Sequence, residues 1–411
     1  MNRTVALAFA VILFSLAAAV SSETVKTVVK ETQGRSGPGS YYELRVMIPQ
    51  GTVLEVIEKQ KSWYKVKYLK QEVWVSVNSL AVGVSASAGS GAESFPALSF
   101  DAITVKASSA TLTAAIKGFW TRYSRGQTGT LYELPAEGFA VSIPAYESFA
   151  QSRADYASRD KLWDRYSLRE VKRSPLTFER EHSIGYAIAS SIADAPPVAD
   201  PAVTQYVYSV GWYLAESTEY YDSPFTFYIL DTDRVNAVSC PGGYIVLTRG
   251  LLALLHDESE LAAVLAHEMA HVIAGHAMQT LGENETAQKA NTSFDILAQE
   301  TGTSETEQDL IGITDRAVSI ATSPKLNEQE FEADRMALRY LARSGYDLGG
   351  LTRMLATMMD FHERNIDLFD LNYRNHPDFG ERTKRIEAEL RQYRSFQGSA
   401  NRDQFARALR F

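Results

Sequence analysis

A single cysteine, Cys240, stands in 411 residues, so the chain has no internal disulfide. Positive charge is also short. Forty-one Lys and Arg against 50 Asp and Glu leave a net charge of −9, which argues against nucleic acid or an anionic membrane as the main partner. Long apolar runs are scarce. Val5 to Val20 is apolar except for Ser15, but its 16 residues fall short of the ~20 that a membrane span requires. No later segment reads as apolar enough to cross a bilayer. What remains is ordinary for a soluble globular protein, with 45% hydrophobic and 22% charged residues, and the length allows two or three domains with ample core.

The N-terminal run follows Arg3 and ends near Ala17-Ala18-Ala19. It reads as a cleaved secretory signal over residues 1–22, with an uncleaved anchor as the alternative. No cysteine follows the run, so lipid attachment there is excluded. Export without disulfides suits a bacterial periplasm, and the expected location is periplasmic or secreted.

Residues 23–83 read as all-β. Strand-like runs at Val25–Val29, Leu44–Ile48, Thr52–Ile57, Trp63–Tyr68 and Val73–Val77 are separated by turns such as Pro49-Gln50-Gly51, the spacing of a small barrel. Gly37-Pro38, Pro49-Gln50-Gly51-Thr52, Ser62-Trp63-Tyr64-Lys65-Val66 and Val73-Trp74-Val75 resemble a bacterial SH3-like domain. That resemblance implies binding of peptide or peptidoglycan, with Trp63 and Trp74 either in the binding surface or in packing. Residues 84–100 read as a Ser/Ala/Gly-rich linker. Residues 101–178 read as a helical region without an assigned role, with an amphipathic stretch from Ser109 to Tyr123. From 179 to 395 the chain reads as mainly helical, interrupted by one strand pair at Phe225–Leu230 and Gly243–Leu247.

The chemistry concentrates in Glu258 to His276. Asp257 and Glu260 read as a capping box, and Leu261 to Ala266 as a buried helix. Into that helix fall His267, Glu268 and His271. Residues four apart share a helix face, so both imidazoles reach one ion while Glu268 projects beside them. Gly275, one turn beyond His271, reads as room for something to approach. With seven histidines in the chain, an accidental His-Glu-x-x-His arises on the order of 0.01 times per chain. Three ionisable side chains in an apolar helix are costly unless metal or partners satisfy them. Zinc needs a third protein ligand. Downstream candidates lie in Asn327-Glu328-Gln329-Glu330-Phe331-Glu332-Ala333-Asp334 and at His376-Pro377. Glu330 and Asp334 share a face, with Asp334 suited to orient a histidine. Glu330 also reads as a capping partner of Asn327. Glu332 is the rival ligand, turned well away from Glu330 on the helix. His276, five residues from His271, falls off the ligand face and reads as a supporting residue.

His267-Glu268-Met269-Ala270-His271 together with Glu330-Phe331-Glu332-Ala333-Asp334 resembles the gluzincin endopeptidases of the HtpX and BepA type, relatives of the CAAX prenyl proteases. Asn236-Ala237, Pro241-Gly242-Gly243, Thr248-Arg249-Gly250-Leu251-Leu252, Gly345-Tyr346-Asp347 and His376-Pro377 with Arg382 extend the match across residues 179–390. The resemblance implies one zinc ion held by His267, His271 and Glu330, with Glu268 as general base. It also places His376 and Arg382 near the metal, for oxyanion stabilisation or gating. Cys240 stands where the family carries an apolar residue and reads as small packing. The expected fold is α+β: a mainly helical metallopeptidase domain with a small sheet, preceded by the SH3-like barrel. The expected activity is zinc-dependent hydrolysis of unfolded or misassembled envelope proteins. An extended substrate would pair with the strand at Asn236, Ala237 and Gly242. Two alternatives stand beside it: an assembly factor whose metal site is mostly shut, with residues 277–325 as a plug, and a wall-tethered binding protein acting through the SH3-like domain.

Overall fold

The computed structural model describes residues 23–29, 31–60, 62–82, 134–135, 138–153, 159–168, 178–281, 293, 304–321, 326–365 and 379–409. The signal segment, the linker, the Ser109–Tyr123 stretch and His376 lie outside the described residues. The chain divides into two compact units, Met1–Ala92 and Glu93–Phe411.

The first unit is all β. Strands β1 (Thr24–Thr27), β2 (Glu31–Arg35), β3 (Leu44–Pro49), β4 (Val53–Gln60), β5 (Trp63–Tyr68), β6 (Gln71–Ser76) and β7 (Leu80–Val82) form one sheet. Its order is β3-β2-β6-β5-β4-β1-β7, and every pairing is antiparallel. Alternating residues turn Val25, Ile48, Leu54, Val66, Val73, Val75 and Leu80 into a shared core, as the period of two requires. Trp63 and Trp74 are both buried, so each serves the packing of the unit.

In the second unit, α1 (Ile143–Gln151), α2 (Arg159–Arg165), α3 (Phe178–Ser191) and α4 (Pro201–Ala215) precede a three-stranded sheet. The sheet comprises β8 (Thr226–Leu230), β9 (Ala237–Cys240) and β10 (Tyr244–Thr248), in the order β8-β10-β9. Strand β10 runs parallel to β8 and antiparallel to β9, which makes β9 an edge. The expected strand pair is thus a three-stranded sheet. Its third member is the segment read outside that pair as the strand an extended substrate would join, and it folds back through a tight turn at Pro241–Gly243. Helices α5 (Arg249–Leu254), α6 (Glu258–Ala274), α7 (His276–Leu281), α8 (Ser304–Ala321), α9 (Asn327–Ser344), α10 (Gly349–Arg364), α11 (Phe379–Leu390) and α12 (Arg402–Ala408) follow.

Helix α6 is the centre of this unit. It is buried from Glu258 to Ile273 and packs against α9, α10, α4 and strand β9. By length and composition, Glu258–Gln279 is apolar enough to cross a membrane, contrary to the sequence reading. However, 83% of its most apolar window is buried inside the unit, as a core helix should be. Asp257 Oδ1 caps α6 by accepting from Glu260 N at 3.0 Å. The Glu260 carboxylate accepts instead from His256 N, 2.8 Å away, one residue before the position a capping box uses. The helix ends at Gly275, whose φ of 69° is left-handed. Gly275 therefore stops the helix, and a Cβ built on it would meet nothing within 4 Å, so the room expected beside it is present as well.

Candidate metal centre

Helix α6 holds His267, Glu268 and His271 in its last two turns, and α9 lies against it. Glu330 sits in the first turn of α9. It does not cap that helix: Gln329 Oε1 accepts from Leu326 N at 3.2 Å, which leaves the Glu330 carboxylate to face α6. Two imidazole nitrogens and the two oxygens of one carboxylate converge there. His267 Nε2 and His271 Nε2 are 3.1 Å apart. Glu330 Oε2 is 3.4 Å from the first nitrogen and Glu330 Oε1 3.3 Å from the second. A tetrahedral zinc with ligand bonds of 2.0–2.1 Å has donor–donor edges of about 3.3 Å; each separation is of that size, the two to Glu330 being made by different oxygens, and the three residues form a group that could hold a metal ion. All three residues are buried, and Glu268, beside His267 in sequence, is 6% exposed. Glu332 points elsewhere.

Each histidine is held from behind. His267 Nδ1 lies 3.0 Å from Asp334 Oδ1. Arg382 grips the same carboxylate, with Nε 2.9 Å from Oδ2 and Nη2 2.7 Å from Oδ1, and its Nη1 lies 3.1 Å from Glu330 Oε2. Burial alone would raise the Asp334 carboxyl, but the Arg382 charge and hydrogen bonds outweigh it and hold the group down at about 2. For His267, burial and Arg382 push downward. The hydrogen bonds that Asp334 and Glu330 accept from the ring outweigh them and raise it to about 9. The same carboxylates that retain a proton there would favour a metal cation.

On the other side, His271 Nδ1 meets His276 Nδ1 at 2.8 Å, and His276 Nε2 lies 3.3 Å from Glu332 Oε2. Gly275 makes this possible by breaking the helix, so the His276 ring folds back onto His271. Burial and the neighbouring His271 push His276 down to about 4. Sequence spacing placed His276 off the ligand face but gave no sign of its contact with Glu332, which depends on the turn and on the approach of α9. A small cavity of about 10 Å³ adjoins His271 and His276, lined also by Glu181, Ser239, Gly275 and Met278.

Residues 201–390 match the family model described as Peptidase family M48. The chain carries a peptidase family M48 domain. Residues 35–81 match the bacterial SH3 domain model. The beta-barrel assembly-enhancing protease of Yersinia pestis is 30% identical over 193 residues, covering 45% of this chain and 39% of that protein. Metalloprotease LoiP of Escherichia coli is 27% identical over 168 residues, 40% of this chain and 62% of that protein. The putative N-acetylmuramoyl-L-alanine amidase YrvJ of Bacillus subtilis is 40% identical across 68 residues, 16% of this chain and 13% of the relative. The chain thus spans about two-fifths of the length of the assembly-enhancing proteases it resembles.

Within the M48 domain the other expected site residues fall into two groups. Arg382 is 2% exposed and sits behind Glu330 and His267, engaged by carboxylates. The sequence reading had it stabilising an oxyanion or gating the site; here its guanidinium lies against Asp334 and Glu330. Ala237 begins the edge strand β9, which packs on α6, and Asn236 immediately precedes it. Asn236 is tied to the end of β10, its N–H donating to Thr248 Oγ1 at 3.0 Å. Both backbone polar groups of Gly242 are engaged by α3. Its N–H donates to Glu181 Oε1 at 3.2 Å and its carbonyl accepts from His182 Nδ1 at 3.0 Å. A Cβ at Gly242 would lie 2.3 Å from His182 Cα, so close packing on α3 explains the glycine. Cys240 is buried among apolar neighbours, as small packing.

Proposed function

We propose that the chain is a zinc-dependent endopeptidase that cleaves unfolded or misassembled proteins of the cell envelope. The observation that carries this reading is the donor triangle of His267, His271 and Glu330 with Glu268 next to it on the same helix. When bound, zinc supplies Lewis-acid polarisation of the scissile carbonyl and acidifies a water. Glu268 accepts the proton of the attacking water and delivers it to the leaving amine. Asp334 accepts from His267 Nδ1–H and so turns the Nε2 lone pair toward the metal position. Arg382 balances the charge of Asp334 and Glu330. An extended peptide adds to the edge of β9 through main-chain hydrogen bonds, which tolerate many sequences. Such tolerance suits substrates defined by being unfolded. The names of the assembly-enhancing relatives support outer-membrane assembly as the setting, and the bacterial SH3 domain supports attachment to peptidoglycan or peptide in the periplasm.

Glu268→Gln tests the mechanism, because this residue is not a ligand. The variant should keep zinc and lose casein cleavage by ~10²–10⁴-fold, and a chelator should abolish cleavage by the native chain. Native cleavage by Glu268→Gln would reject the mechanism. A gated assembly factor is favoured by one observation. Helix α8, part of the segment read as a plug, packs on α3 and α7 and touches β9. Failure of the zinc-loaded native chain to cleave casein would select that reading.

A further inference from the structure

We infer that His276 and Glu332 are positioning residues that set the tautomer and orientation of His271. This rests on the ligand set proposed above. A histidine that presents the Nε2 lone pair to a metal carries its proton on Nδ1. His271 Nε2 faces His267 and Glu330, so its Nδ1–H points at His276 Nδ1, 2.8 Å away. That nitrogen must then be the acceptor, which leaves the His276 proton on Nε2. Nε2 in turn faces Glu332 Oε2 at 3.3 Å, an acceptor with no proton of its own to offer. Every donor in the series meets an acceptor in only this arrangement. Reversing either bond would set two N–H groups, or two lone pairs, against each other.

Burial supports the assignment. The His276 side chain is 1% exposed and that of Glu332 is 50% exposed. The series therefore runs from the buried ligand to a carboxylate at the surface. Its counterpart behind His267 is different in kind, a direct Asp334 carboxylate neutralised by Arg382. The two ligands are thus held by unlike means, a buried ion pair on one side and a neutral imidazole with a half-exposed carboxylate on the other. Glu332, weighed in the sequence as a rival ligand, contributes from two bonds away. His276 is not itself a ligand, because its Nδ1 meets the rear nitrogen of His271 and it stands outside the three-residue cluster.

The test is zinc affinity, measured by competition with a chromophoric chelator, together with the absorption spectrum of the cobalt-substituted chain. Loss of a partner that orients a metal-bound histidine costs 10–100-fold in metal affinity. His276→Leu should fall in that range and alter the cobalt bands, because His271 is free to turn. His276→Asn sets an amide oxygen near the position of Nδ1 and should return affinity close to native. If it behaves like His276→Leu, the hydrogen bond is not the cause and the inference fails. Glu332→Ala should lower affinity by roughly 10-fold. Because that side chain is half exposed, its removal spares the fold and decides the question if His276→Leu does not fold. Native affinity in Glu332→Ala, or in a folded His276→Leu, overturns the inference. Glu330→Ala run in parallel separates the two levels. Native zinc affinity there rejects the ligand set itself, whereas zinc loss there with native affinity in the other variants rejects only the positioning role.

Discussion

Arg382 shows how one residue's role depends on what already surrounds it. A guanidinium near a catalytic metal is an obvious candidate for stabilising an oxyanion. Here it is instead buried and aligned with Asp334 through two parallel hydrogen bonds, with a third nitrogen beside Glu330. Removing it leaves two buried carboxylates without their counter-charge, and both belong to the proposed metal site. Arg382→Ala should therefore lose zinc, by roughly 10–100-fold in affinity, and its activity should recover when zinc is supplied in excess. Zinc retained after dialysis and kcat at saturating zinc are the two measurements. Full zinc occupancy with kcat still lowered would return Arg382 to the oxyanion.

At the scale of the element, Gly275 connects helix geometry to the metal centre. It ends α6 in the left-handed region and aims His276 back at His271. A Cβ there meets nothing within 4 Å, so the cost of Gly275→Ala is conformational alone, about 1–2 kcal/mol. The expected result is a modest drop in melting temperature together with weaker zinc binding. A drop in stability with native zinc affinity would mean the turn does not place His276. Helix α6 and its His267-Glu268-x-x-His271 pattern were legible because apolar composition, cap and spacing all agree. A strand at Ala237-Val238-Ser239-Cys240 was also read, but not its pairing with β10, which depends on the glycine turn that follows. Nor was the start of α9. Asn327 and Glu330 have the spacing of a capping pair, but Gln329 takes the cap, a competition between side chains that spacing does not resolve. The link from His276 to Glu332 joins residues 56 apart through packing alone.

Over the second unit as a whole, the M48 match begins at residue 201, yet the buried charges of the domain are completed from earlier residues. Glu258, fully buried at the start of α6, accepts from Tyr346 Oη at 2.9 Å and Asn401 Nδ2 at 3.0 Å. Its ion-pair partner is Arg153, 2.9 Å away, just past the end of α1. Arg159 of α2 pairs with Glu216 after α4. Arg343 of α9 donates to the carbonyls of Trp163 and Tyr166 at 3.0 and 2.7 Å. Part of the 101–178 region without an assigned role is thus an integral layer of the unit. Removing one partner of a buried pair costs about 3–5 kcal/mol, because the other charge stays buried, so Arg153→Ala should lower stability by that order. The pH dependence gives a second reading. Burial raises the Glu258 carboxyl above its ordinary value even with Arg153 present, and loss of the arginine raises it further. The folded variant then binds this proton more tightly than the unfolded chain does. Its deficit should be full above the folded-state value, shrink as pH falls through it, and vanish below the unfolded value of about 4.3. Denaturant unfolding of variant and native chains, compared at neutral pH and near pH 5, measures the difference. A deficit that does not change with pH would mean Arg153 stabilises by packing alone, and an undiminished neutral-pH stability would remove α1 from the support of the metal helix.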